Sequence, residues 1–206
     1  MKRLAKQLAL AVCTVLVLPV LVRYWLLRAL VGRERACQAV SQSASKWAGP
    51  LGDYLRIALL RCVLAGVGRD VVVLFGSIFS KPTAQLDEGV YVGSYCILGD
   101  VQVGAGTLIA DHVLIPSGAH QHGLDRLDVP IRQQEGRFET IRIGADCWIG
   151  SRAVILADVG EHCVVAAGSV VVSPVADYQI VAGVPAKVVG DRRTRSGTAA
   201  QEATRA

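Results

Sequence analysis

From Leu86 onward an apolar residue, usually followed by a small one, returns about every six positions. The plainest examples are Leu86-Asp-Glu-Gly-Val-Tyr, Val92-Gly-Ser-Tyr-Cys-Ile, Val103-Gly-Ala-Gly-Thr-Leu and Ile109-Ala-Asp-His-Val-Leu. A period of six cannot keep one face of a helix that turns every ~3.6 residues. A short fixed period of this kind marks a β-solenoid. Each hexad makes one short strand and one corner. Its first residue points inward, its second is small because the backbone turns there, and its fifth is small or β-branched. Three strands close a triangular coil, and parallel stacking of coils pairs each backbone group with the coils above and below. The predicted fold is an all-β solenoid, a parallel β-helix over residues 65–190. Its 21 glycines and 5% aromatic content suit tight corners and a core of small side chains.

One long excursion, residues 119–142, interrupts the pattern. The repeats resume at Ile143-Gly-Ala-Asp-Cys-Trp and Ile149-Gly-Ser-Arg-Ala-Val, and run on through Val159-Gly-Glu-His-Cys-Val and Val165-Ala-Ala-Gly-Ser-Val. The excursion begins with His120-Gln121-His122-Gly123, which reads as an active-site loop carried on a rigid scaffold. An imidazole that titrates near neutrality is the apt general base for activating a hydroxyl. His120 and His122 share a face if the backbone there is extended.

The net charge of +5 gathers at the two ends of the chain. Basic ends beside an apolar segment point to anionic lipid, and no Arg- and aromatic-rich motif speaks for nucleic acid. Lys2, Arg3 and Lys6 precede an apolar run from Leu8 to Val22, followed by Arg23-Tyr24-Trp25. The run is shorter than the about 20 residues that span a bilayer as a helix. No small-residue cleavage site closes it as in a signal peptide. Residues 1–64 therefore read as a membrane-associated segment, left open between spanning, re-entrant and surface-lying. A polar connector at 32–48 follows, then an amphipathic helix over Asp53–Leu64 that lies on the membrane or caps the solenoid. Residues 191–206 read as a flexible tail. Of six cysteines none forms a C-x-x-C pair. Cys96, Cys147 and Cys163 hold the fifth place of a hexad, as small buried hydrophobes in a reducing compartment.

The hexads, Gln121-His122-Gly123, Cys147-Trp148-Ile149-Gly150, Ala166-Ala-Gly-Ser-Val-Val171 and Ala182-Gly-Val-Pro-Ala-Lys187 resemble the hexapeptide-repeat acyltransferases, in particular sugar and polysaccharide O-acetyltransferases. The resemblance covers about residues 70–190. It implies a left-handed β-helix, although parallel crossovers are in general right-handed. It implies a homotrimer with acetyl-CoA as co-substrate between subunits and no metal. It gives His122 the role of general base, with His120 as alternate. It sets Trp148 beside the thiol arm, with Gly150, Ser151, Ala167 and Gly168 along the pantetheine. Lys187, Arg192 and Arg193 meet the CoA phosphates. The acceptor implied is a sugar hydroxyl in a polysaccharide, O-antigen or glycolipid precursor, with the solenoid on the cytoplasmic side of the inner membrane. Two other readings stand beside it: transfer to a small acceptor of xenobiotic or serine type, and a γ-class carbonic anhydrase-like zinc lyase. The lyase would need three of His112, His120, His122 and His162 to converge on one ion.

Overall fold

A computed structural model describes residues 2–194 of the chain, with side chains from Lys6 onward. Four helices come first: α1 (Lys2–Leu16), α2 (Leu18–Val31), α3 (Arg33–Ser45) and α4 (Gly49–Val63). The strands follow as β1 (Gly66–Val67), β2 (Val72–Val73), β3 (Ile78–Phe79), β4 (Gln85–Leu86), β5 (Tyr91–Val92), β6 (Ile97–Leu98), β7 (Val101–Val103), β8 (Leu108–Ile109) and β9 (Leu114–Ile115). Beyond the excursion come β10 (Ile141–Ile143), β11 (Trp148–Ile149), β12 (Val154–Ile155), β13 (Val164–Val165), β14 (Val170–Val171), β15 (Gln179–Gly183) and β16 (Ala186–Asp191).

The strands stack into three faces of a prism. Face one is β1-β4-β7-β10, face two runs β2-β5-β8-β11-β13-β15 and face three is β3-β6-β9-β12-β14. Every pairing among them is parallel, and an antiparallel β15–β16 hairpin closes the far end of face two. The parallel β-helix expected from the repeat is therefore what the chain forms. Its core is the column of first-place residues: Val73, Leu86, Val92, Leu98, Val103, Ile109, Ile115, Ile143, Ile149 and Val165 are all buried.

The expected reason for the small second residue needs correcting. The corner turns at the fourth place instead. Asp70, Tyr95, His112, Asp146, Arg152, His162 and Tyr178 all have positive φ there, as do Gly76, Gly89, Gly106, Gly118 and Gly168. The carbonyl of the second residue accepts from the fifth N–H, as in Thr107 N–H to Gly104 O, so the fourth residue is the left-handed position of a type II turn. The second place is small for another reason. A Cβ at Gly144 would lie 2.5 Å from the Glu161 nitrogen of the next coil, and one at Gly150 2.5 Å from the Ala167 nitrogen.

The fifth place also does more than fill space. Thr107 Oγ1 donates to Gly144 O at 2.7 Å and accepts from Cys147 N–H at 3.0 Å. Ser77 Oγ does the same with Gly93 O and Cys96 N–H. Buried Cys147 and Cys163 repeat it with thiols, donating to Gly160 O and Ala176 O at 3.0 Å. These residues are hydrogen-bonded rivets between coils rather than inert fillers, and each satisfies a buried backbone group that would otherwise cost stability.

The stretch read as a polar connector is α3. Its inner side is made of small residues, Ala36, Cys37, Val40, Ser41 and Ala44, all buried against the first coils. Ser41 Oγ accepts from Phe79 N–H at 2.8 Å. Low mean hydropathy hid the helix, because close helix–sheet approach needs small side chains rather than greasy ones. The α4 helix packs on α3, β1 and β2 and covers the first coil. The α1 helix packs on α4 and α2 on α3. At the far end Arg192 and Arg193 continue in ordered backbone beyond β16, and 195–206 of the expected flexible tail lie outside the described residues.

Candidate active site

The excursion leaves the prism at the edge between faces three and one, after β9, and returns at β10. Its two legs are laced together. Ser117 O accepts from Glu139 N–H at 2.9 Å, and His120 O from Arg137 N–H at 2.7 Å. The roots are tied to the scaffold: Ser117 Oγ accepts from Asp100 N–H at 2.9 Å, and Thr140 Oγ1 donates to Asp100 Oδ2 at 3.0 Å. The tip is pinned by the Gln134 amide, which donates to the carbonyls of Arg126 and Val129 and accepts from Arg126 N–H. At Gly136 a Cβ would overlap the Gln121 carbonyl, so only glycine lets the legs approach beside His122. Sequence reading missed Asp100, Gln134 and Gly136; the one available signal was a lone glycine in a polar loop.

His120 and His122 are both exposed. Neither ring makes a hydrogen bond to another group among the described residues, so both are open to a ligand. They differ in setting. His120 lines an open cavity of about 520 Å³ between the loop root and the next coils, with Glu139, Thr140, Leu156, Val172 and Pro174. His122 stands outside that cavity, farther along the leg.

Trp148 lies on the outer side of face two, 55% exposed, stacked in register between Leu108 and Val164. Where the chain turns from face two to face three, Ser151, Ala167 and Gly168 form a ledge. Gly168 N–H donates to Ser151 O, and beyond Gly168 a Cβ would meet open space. An extended ligand can lie on that ledge. Gly150 is not part of it: it is buried, and the next coil requires its smallness. Lys187 is exposed on β16 opposite Ala182, at the end of the same face.

Arg192 and Arg193 sit elsewhere, on the edge between faces one and two. Arg192 Nη1 donates to the Asp146 carbonyl, to Asp146 Oδ2 and to His162 O, at 2.9–3.1 Å. Arg193 pairs with Asp191 and lies over the Tyr178 ring. A phosphate would have to compete with these carboxylates. On the same edge His162 Nδ1 lies 3.0 Å from Asp146 Oδ2, and its ring stacks on Tyr178. The His162 contact first, and then Arg192, hold the Asp146 carboxyl below its usual range. This oriented Asp–His pair was not foreseen; its signal is two fourth-place residues one coil apart.

Within one chain, then, the loop histidines and the Trp148 ledge stand on different edges of the prism. The four histidines are likewise spread: His112 stacks on Tyr95 at the edge between faces two and three, His162 stands at the edge between faces one and two, and only His120 and His122 are neighbours.

Residues 140–173 match the family described as the hexapeptide repeat of succinyl-transferase. A probable acetyltransferase of Mycobacterium tuberculosis is 36% identical over 139 residues, covering 61% of this chain and 46% of its own length. An Escherichia coli protein assigned to O-acetyl transfer in lipopolysaccharide biosynthesis is 29% identical over 55% of this chain and 60% of its own. The chain thus spans about half the length of these relatives. Among solved structures, a maltose O-acetyltransferase from Clostridium difficile superposes with a TM-score of 0.67 at 20% identity, over 79% of this chain and 88% of that one. A galactoside acetyltransferase in complex with coenzyme A gives 0.62 at 22% identity, over 80% and 83%. The shared fold is the hexapeptide-repeat solenoid.

Proposed function

We propose that this hexapeptide-repeat protein is an acetyl-CoA-dependent O-acetyltransferase acting on a sugar hydroxyl. The observation that carries the reading is the pairing of a braced, histidine-bearing loop on one edge with a tryptophan-flanked ledge of exposed small residues on another. The relatives support the chemistry: two are acetyltransferases by assignment, one of them in lipopolysaccharide biosynthesis. Two solved structures of the same fold are sugar O-acetyltransferases or bind coenzyme A.

In this reading His122 takes the proton of the acceptor hydroxyl as the oxygen attacks the thioester carbonyl. The C–S bond then breaks, and the thiolate of CoA leaves and is protonated. The backbone at Ser151, Ala167 and Gly168 lets a slender donor arm lie close, and Trp148 covers one side of it. The histidine belongs to one copy and the ledge to its neighbour, in a homotrimer. The outer residues of face three, Ile97, Leu114, Val154 and Val170, give that assembly an apolar surface. With a cytosolic donor, the solenoid faces the cytoplasm.

The test uses purified full-length protein, labelled acetyl-CoA and a panel of nucleotide-sugar and lipid-linked acceptors. His122→Ala should lower turnover about 10²–10⁴-fold and leave CoA affinity unchanged. Trp148→Ala should weaken CoA binding. Full turnover in the His122 variant, with loss in His120→Ala, would move the base to the residue lining the cavity.

A further inference from the structure

Helices α1 and α2 are apolar on both sides. Inward, Cys13, Val17 and Tyr24 are buried against α3 and α4. Outward, Leu8, Val12 and Val15 form a stripe on α1, and Val22, Leu26 and Leu30 continue it on α2; Leu8 is 67% exposed and Leu26 62%. A soluble helix would carry charge on that side. No acidic residue occurs before Glu34, whereas Lys6, Arg23 and Arg28 interrupt the apolar surface. Arg28 lies over the exposed Trp25 ring at 4.7 Å, an amphipathic pair suited to the headgroup level.

The pair together has the length and composition of a broken span, but its geometry favours a helix pair lying flat. No single helix here is long and apolar enough to cross a membrane, and the two helices meet at a bend of 51°. Pro19 in the first turn of α2 explains the bend, since it has no N–H to continue the ladder. Fourteen residues of α2 reach only ~21 Å, against ~30 Å of hydrocarbon. Each helix is also seamed along its length to the body: α1 to α4, with Lys6 paired to Asp70 of the first coil, and α2 to α3.

We propose that α1 and α2 lie in the plane of a membrane, with the Leu8–Leu30 stripe sunk into one leaflet containing anionic lipid and both chain ends on the same side. The cationic margin, with Trp25 beside Arg28, selects a phospholipid surface over a protein partner. This inference does not depend on the acetyl-transfer reading, and its test involves no turnover.

Purified full-length chain is floated with vesicles of phosphatidylglycerol and phosphatidylcholine, and with phosphatidylcholine alone. Binding is expected to both, severalfold stronger to the anionic vesicles, with that excess lost in 0.5 M salt (about a threefold shorter screening length than at 0.05 M). The triple variant Leu8→Asp, Val15→Asp, Leu26→Asp should bind at least tenfold more weakly while keeping the circular dichroism of the parent. As a check that needs no folded triple variant, lipids brominated near the headgroup should quench fluorescence, and Trp25→Phe should abolish most of that quenching. In sealed vesicles, added protease should remove both an N-terminal and a C-terminal epitope. Failure to float, unchanged binding by the triple variant, a helix-mediated soluble oligomer that ignores lipid, or a protected N-terminal epitope would each overturn the proposal.

Discussion

Arg56 shows how much one side chain can hold. It is 1% exposed, and its guanidinium donates to Val73 O, Ala44 O and Trp47 O at 2.8–3.0 Å and to Asp53 Oδ1 at 2.6 Å. Burial pulls its pKa down and Asp53 pulls it back up. Arg56→Met removes the side-chain donor from three carbonyls; Ala44 O at the end of α3 keeps the Trp47 N–H, while the bonds to Val73 O and Trp47 O are lost. A loss of about 3–5 kcal/mol in urea unfolding is expected, and Arg56→Lys should recover only part of it. At the other end the Arg193 guanidinium and backbone N–H hold the Asp191 carboxyl at about 2. Because that value is depressed, the pair's contribution is complete above the ordinary carboxylate range and fades as pH falls through about 2. A carbon-13 titration should show this midpoint, and Arg193→Ala should return it toward the normal range. Arg56 was legible in the sequence only as a charge interleaved in an amphipathic pattern, because the carbonyls it serves belong to a different helix and to the first coil. His122 could be singled out from sequence because imidazole chemistry is local; the Gly136 and Gln134 that brace its loop could not, because they act across the loop.

At the scale of one coil, the hexad carries two separate demands on glycine, and substitution should tell them apart. Gly144→Ala keeps an allowed φ but drives a Cβ into the Glu161 backbone, and should cost about 1–3 kcal/mol with no milder substitute. Gly106→Ala meets no atom within 4 Å and suffers only from its φ of +69°. It should cost about 1 kcal/mol, and Gly106→Asn less, since Asn tolerates the left-handed region. Thermal melts of the three variants check the order. The strands and their inward column follow directly from the period of six, which is why they could be read in advance. The reason for the small second residue could not, because it lies in the neighbouring coil. The α3 helix escaped for a related cause: its packing face is built from Ala, Cys and Ser, and hydropathy alone does not mark such residues as core.

For the whole molecule, the loop and the ledge stand on separate edges, and under the proposed function turnover requires assembly. Leu114→Asp on the outer side of face three should convert the assembly to single chains in light scattering and abolish turnover together, while leaving the melt of the isolated prism nearly unchanged. The pairing around the loop carries a consequence of its own. Cys147 N–H reaches Thr107 Oγ1 across a sequence gap of 40, whereas coils elsewhere repeat at gaps of 16, 17 and 19. Ile141, Arg142 and Ile143 nevertheless sit directly opposite Val101, Gln102 and Val103. The extra residues thus leave and rejoin the stack without displacing it by a single rung. Such a port can be rewritten in length and composition with the Ser151–Gly168 ledge untouched, so the loop is free to vary without the chain relearning how to fold.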